Sequence, residues 1–153
     1  MHPLLAGRFS PAAFDATHSL GDAEERALVE AARWAPSAGN SQPWMFHVRR
    51  RGEPGHGALV SHLRGGARGW GAHASALVVN LARVDAGGGM RYSDFAEYDL
   101  GQAVAHMTIQ ASAMGLACRQ FRAFDLDGLA SALAVPAGWE VLTMTAIGRA
   151  AAD

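Results

Sequence analysis

The segment from Asp99 to Met114 limits what this chain can fold into more than any other. Leu100, Val104, Met107, Ala111 and Met114 recur at steps of four, three, four and three, one continuous stripe on a helix. The other faces are small as well, with Gly101, Ala103, Ala105, Ser112 and Ala113. A helix that is apolar or small nearly all round must bury several sides at once. The pattern predicts a central helix packed on the rest of the domain and, in so short a chain, against a second subunit. Gly115 supplies its C-terminal cap.

The elements around it interleave irregularly. Asp22 with Glu25 is a capping-box pattern that opens a helix over Asp22 to Ala35, ended by Pro36. Trp44 to Val48 reads as a strand, Gly55 to Leu63 as a short helix, and Gly65 to Gly71 as a glycine-rich loop. Ala74 to Val84 is a nearly continuous apolar run typical of a buried strand, and Gly87 to Gly89 is a loop. Cys118 to Phe121 is a short strand, Asp125 caps a helix over Leu126 to Leu133, and Val141 to Ile147 alternates as the last strand. Without strict βαβ repeats, the order predicts one α+β domain over residues 1–153, a sheet with flanking helices.

Composition narrows the function classes. The chain has 153 residues, 50% hydrophobic and 18% charged, with a formal net charge of −1. That balance points to neither a nucleic-acid nor a membrane surface. Arg49, Arg50 and Arg51 read as a solvated strand end. The low charged fraction suggests apolar surface covered by another copy. A single cysteine, Cys118, excludes an internal disulfide framework, fits a reducing compartment, and reads as a small buried residue rather than a nucleophile. No basic-then-apolar leader opens the chain, and no apolar run approaches the roughly 18 residues of a membrane span. The expectation is a cytoplasmic protein.

Most catalytic motifs are missing. Seven histidines include no helical i, i+4 pair with a third ligand, and His56, His62 and His73 lack carboxylates or cysteine at ligand spacing. There is no G-x-S-x-G elbow, no P-loop Lys-Ser/Thr pair and no G-x-G-x-x-G after a strand. Any enzymatic chemistry therefore falls to a cofactor. Trp34 to Trp44, WAPSAGNSQPW, is the stretch suited to hold one: it has no charge and is rich in short amides, hydroxyls and backbone N–H groups.

EAARWAPSAGNSQPW, from Glu30 to Trp44, closely resembles a loop of the nitroreductase family of FMN-dependent oxidoreductases. Three further segments agree in order. HPLLAGRFSPAAFD (His2 to Asp15) resembles the family's phosphate-binding segment. YDLGQAVAHMTIQASAMGL (Tyr98 to Leu116) resembles its long dimer-forming helix. CRQFRAFD (Cys118 to Asp125) resembles the strand and turn that meet the flavin. The resemblance implies a nitroreductase-like α+β fold with a mixed, mainly antiparallel sheet, and a homodimer with FMN at the interface.

It also implies roles for residues. Arg8, Phe9 and Ser10 fall on the phosphate-binding segment, with Arg8 making charge-assisted bonds and Ser10 a neutral one. The family's second arginine there is Ala12 in this chain. Pro36, Ser37, Ala38 and Asn40 match positions that reach the flavin ring across the subunit interface. Gln120, Arg122 and Ala123 match positions facing the flavin. The family has an acidic residue and glycine at the last two, so Arg122 puts a cation near the ring. Arg149 is the one basic residue left near the C-terminus for the phosphate. A surface charge at Arg8 and Arg122, turn or cap roles at Ser37 and Asn40, and a satisfied strand end at Gln120 are the plainer alternatives.

The implied activity is NAD(P)H-dependent, ping-pong reduction of nitroaromatics, quinones or similar acceptors through flavin N5. A flavin-binding protein without turnover is one rival. A flavin-dependent oxidase or dehydrogenase of a small metabolite is another, and a cofactor-free interaction domain is a third.

Overall fold

In the computed structural model, which describes residues 1–152, the apolar run after Ala74 becomes an inner strand of a four-stranded sheet. The chain runs α1 (Pro3–Gly7), α2 (Asp22–Arg33), β1 (Trp44–Arg50), α3 (His56–Ser61), α4 (Ala67–Gly71), β2 (Ala76–Arg83), β3 (Asp85–Gly87), β4 (Met90–Arg91), α5 (Ala96–Ala113), β5 (Ala117–Phe121), α6 (Leu126–Ala132) and β6 (Trp139–Gly148). The main sheet has the order β1-β2-β6-β5, and each neighbouring pair is antiparallel. β3 and β4 form a separate hairpin. This is the expected α+β class.

Side chains alternate across a strand, so each strand contributes to both faces. On one face Leu77, Val79, Leu81 and Met144 pack with Leu59 of α3, Ala67 of α4 and Leu129 of α6. On the other, Ala76, Val78, Cys118 and Ile147 meet Leu28 and Ala32 of α2 and Ala103, Met107 and Ala111 of α5. Leu100 and Val104 extend α5 over Ala82. The small residues of α5 are what let it lie close to both α2 and the sheet.

Several local expectations move. α5 begins at Ala96, three residues before Asp99, and ends where expected: Gly115 sits at φ +72°, with its N–H on the Ser112 carbonyl and the Leu116 N–H on the Ala111 carbonyl. That is a Schellman motif. α2 is capped by Gly21, not Asp22. The Glu24 carboxylate accepts from the Gly21 N–H at 2.8 Å, while the Asp22 carboxylate turns to Arg50. The helix stops at Arg33, with Trp34 as its cap. Residues 67–71 form a helical turn rather than a loop, because Trp70 docks on the core beside Phe121. The glycines at 87–89 make the β3–β4 turn, all three at positive φ.

Asp125 does hold the N-cap position of α6, but its carboxylate pairs with Arg64 at 3.0 Å instead of capping. The arginine run is not a simple solvated end. Arg50 is ringed by Asp22, Glu25 and Glu53, and Arg51 donates to the carbonyls of His18, His73 and Ala74.

Candidate functional site

A cleft of about 570 Å³ opens where the N-terminal segment crosses α5 and the β6–β5 side of the sheet. Leu100, Val104 and Leu142 form its apolar walls, Thr108, Gln120 and Thr143 supply polar edges, and Arg8 supplies a positive charge. One irregularity in the sheet shapes it. Asn80 pairs with Thr143 and Leu81 with Val141, so Leu142 is an extra residue in β6. Such a bulge re-aims side chains next to it. Here Leu142 joins the α5 side of the sheet and lines the cleft.

Under the cleft lies a polar floor. The fully buried Asn80 donates from Nδ2 to Thr143 Oγ1 at 3.0 Å and to Thr145 Oγ1 at 2.9 Å. Its Oδ1 has no protein partner, which is uncommon for a buried amide. Gln120 donates from Nε2 to Thr108 Oγ1 at 2.8 Å, and Thr108 in turn donates to the Val104 carbonyl at 2.7 Å. The same strand buries Cys118, and burial pushes its thiol up to about 12.

The Trp34–Trp44 loop is folded by its own polar groups. Ser37 Oγ accepts from the Gln42 N–H at 3.0 Å, and Gln42 Nε2 donates to Asn40 Oδ1 at 3.0 Å. Gly39, Asn40 and Gln42 all sit at positive φ, with Asn40 and Gln42 at +54° and +46°. Residues other than glycine rarely adopt that geometry, and it persists where surroundings enforce it. Tyr92 anchors the loop by donating its hydroxyl to the Ser41 carbonyl at 3.0 Å, and Asp99 anchors its start. Asp99 is 2% exposed, its Oδ2 accepts from the Ala38 N–H at 3.0 Å, and its Oδ1 accepts from Gln102 Nε2 at 3.3 Å. Gln102 also donates to the Pro36 carbonyl at 3.4 Å.

The expected site residues are only partly together in one protomer. Arg8 and Gln120 line the same cleft. Arg8 and the exposed Phe9 also line a smaller cavity, about 200 Å³, against Ser112, Gly115 and Ala150. Ser10 is exposed beside them. Arg122 is exposed in an adjoining groove of about 740 Å³, which shares Glu97 and Leu142 with the cleft. The Ala123 carbonyl accepts from the Arg64 N–H, and the Arg149 carbonyl accepts from the Asp15 N–H at 2.9 Å, tying the chain ends together. Pro36, Ser37, Ala38 and Asn40 lie at the start of α5, outside this cleft.

Sequence reading missed Asp99, Asn80, Thr108 and Thr143. Asp99 had a signal, as one of two acids, with Glu97, at the mouth of an apolar helix. The others had none until the strands were paired. Among the described residues no three His, Cys, Asp or Glu side chains gather as a metal site, and no helix is long and apolar enough to cross a membrane.

Residues 5–55 match the sequence pattern of the nitroreductase family. The protein DrgA of Synechocystis sp. is 29% identical over 166 residues, covering 92% of this chain and 79% of DrgA. A crystal structure of an oxidoreductase containing FMN superposes with a TM-score of 0.92 at 28% identity, over 99% of this chain and 78% of that one. The chain has the fold of these flavin-binding relatives, and its first third matches the nitroreductase pattern. Another solved relative, from Desulfovibrio desulfuricans and described as a nitroreductase in complex with FMN, is 26% identical, with a TM-score of 0.82 over 99% of this chain and 88% of its own. The antiparallel sheet flanked by helices is thus an architecture this chain shares with solved FMN-containing proteins.

Proposed function

We propose that this protein is an FMN-dependent oxidoreductase that takes electrons from NAD(P)H and passes them to nitroaromatics, quinones or similar acceptors, working as a homodimer. The observation that carries this is the cleft: apolar walls for a planar ring, amide and hydroxyl edges, and an arginine at one end. That donor set fits FMN. With one amide N–H committed to Thr108, which orients the side chain, Gln120 offers Oε1 as an acceptor for a ring N–H. Thr143 offers a hydroxyl, and Arg8 a charge-assisted contact for phosphate. Bound FMN would supply the redox chemistry, accepting a hydride and releasing electrons to the acceptor. The protein's part is to bind, orient and desolvate, with no side chain required as acid or base.

A homodimer explains what the single chain leaves bare. Leu5, Trp34, Phe95 and Tyr98 are all more than half exposed. Leu4, Ile109 and Ala113 line a groove beside Trp34 along α1, α2 and α5. A second copy laid on that groove would bring a partner loop, with its Ser37, Ala38 and Asn40, toward the cleft. Arg122, in the adjoining groove, places a cation at the acceptor side. With FMN bound, that cation would stabilise negative charge on the ring, so Arg122→Glu would lower the flavin potential.

The test is an absorbance spectrum of the purified protein with FMN, then with NADH or NADPH without oxygen. Flavin bands that shift on binding and bleach with the nucleotide support the reading, and a quinone then restores them. Protein that shows no saturable FMN binding at micromolar concentration overturns it. Flavin that binds but never bleaches leaves a flavin-binding protein without turnover, or an oxidase or dehydrogenase with another donor.

A further inference from the structure

We infer that Thr108, on α5, is a positioning residue that decides which edge of the flavin ring the cleft accepts. It holds the Gln120 amide with its carbonyl oxygen toward the ligand, so the site takes the N3–H edge of FMN. This deepens the proposed function and rests on its FMN reading. Oxidised isoalloxazine has a single ring N–H, at N3, while N1, N5 and both carbonyl oxygens only accept. A glutamine amide has an acceptor at one end and donors at the other, and the two ends have nearly the same shape. Which end meets the ligand therefore decides which edge can bind.

A relay of two hydrogen bonds fixes that end. It starts at the Val104 carbonyl, which can only accept. Thr108 Oγ1 donates to this carbonyl at 2.7 Å, a buried contact within α5. With its one proton spent there, the Thr108 oxygen accepts from Gln120 Nε2 at 2.8 Å. The Nε2 end of the amide therefore faces α5, and Oε1 is left for the cleft that Val104, Thr108 and Gln120 all line. Turning the amide over would pull the Thr108 hydroxyl off Val104 to donate to Oε1, and two hydrogen bonds would become one. Thr108 is 5% exposed and Gln120 is exposed, so the relay is anchored in the core and ends in the cleft. The cleft's other acceptor-only side chain, Glu97, is more than half exposed and lies 3.9 Å from Arg91.

The rival role is purely structural. The Thr108–Gln120 bond would then only pin β5 to α5, and losing it would weaken every flavin alike. FMN methylated at N3 separates the two, because it keeps the ring and the phosphate and lacks the ring N–H. Dissociation constants for FMN and 3-methyl-FMN are measured by flavin fluorescence for the wild type, Thr108→Val, Thr108→Ala and Thr108→Ser. Without its anchor the long Gln120 side chain must be ordered by the ligand, a penalty of about fivefold in affinity. That penalty falls only on the flavin that uses Oε1. The expected result is a wild type that prefers FMN, and a preference reduced about fivefold in Thr108→Val by weaker FMN binding alone. Thr108→Ser restores it, since a serine hydroxyl makes the same bond to the carbonyl four residues back.

A preference that changes by under about twofold in Thr108→Val overturns the role, as does equal weakening of both flavins. Thr108→Ala, which suits a helix interior, is read in the same way and decides if the valine variant does not fold. A serine variant that stays as weak as the valine one also overturns it. A wild type that binds FMN and 3-methyl-FMN equally removes the N3–H assignment and leaves the FMN reading standing. Wild-type protein that binds neither flavin overturns the FMN reading itself.

Discussion

The two faces of the main sheet are built from the same four strands and differ in kind. The face under α3, α4 and α6 is sealed: Leu77, Val79, Leu81 and Met144 meet only apolar partners and are 0% exposed. The face under α2 and α5 is apolar at one end and polar at the other, where Asn80, Thr143 and Thr145 lie beneath the cleft with Thr108 above. Apolar packing stabilises a fold without directing it at a ligand. Buried amides and hydroxyls add little net stability, and they specify what can sit against them. One face therefore carries stability, and the other gives up some of it to make a site.

The largest effect belongs to the sealed face. Leu77→Ala removes a fully buried side chain and costs about 2–5 kcal/mol, read by chemical denaturation. Flavin affinity of the folded fraction stays unchanged. A cost under about 1 kcal/mol would erase the distinction between the faces.

Next comes the anchor between α5 and the 34–44 loop. Asp99→Ala leaves the Ala38 N–H without its acceptor and costs about 1–3 kcal/mol, with faster hydrogen exchange at Ala38. Asp99→Asn keeps an acceptor and falls below that. Equal losses in the two variants would mean that the loop is held by something other than this contact.

Smaller still is the exchange of polar for apolar groups under the cleft. Asn80→Leu combined with Thr145→Val removes donor and acceptor together, along with the unpartnered Oδ1. Stability then stays within about 1 kcal/mol of the wild type. Ligand affinity drops instead. A stability loss on the scale of Leu77→Ala would show that this face is a second core and not a site.

Legibility in the sequence followed the same division. The sealed face was readable because continuous apolar strands and amphipathic helices announce themselves through period alone, as the 74–84 run and the 99–114 stripe did. The long helix, its Gly115 cap and the α+β class all came from such local signals. The cleft was readable only through likeness to a family, which brought Arg8 and Gln120 to one place. Asn80 lies more than sixty residues from Thr143 and Thr145 in sequence, and a bulge at Leu142 decides which way β6 faces. No local pattern encodes that register. The misplaced α2 cap has a similar origin, since Arg50 draws Asp22 away from the helix it was expected to cap.

The smallest effect tests how dry the ligand-side face is away from the cleft. Cys118 belongs to that face and is 1% exposed. Burial raises its thiol from 9.0 to about 12, against the weaker pull of a hydrogen bond with Thr108. The folded state therefore keeps the proton between pH 9 and 12, where the unfolded chain gives it up. Stability from this group is intact below about pH 9 and falls as pH rises through that window. The chain has no lysine, so few other groups titrate there and blur the signal. Cys118→Ala costs about 1 kcal/mol or less near pH 8. Its disadvantage should shrink as pH climbs, because only the wild type carries the alkaline penalty. Melting temperatures of both proteins at pH 8 and at about pH 10.5 give the answer. A gap that narrows means α2 and α5 seal this end of the face as tightly as the opposite helices seal theirs. A constant gap means water reaches the thiol, and the polar character of the cleft extends along the whole layer.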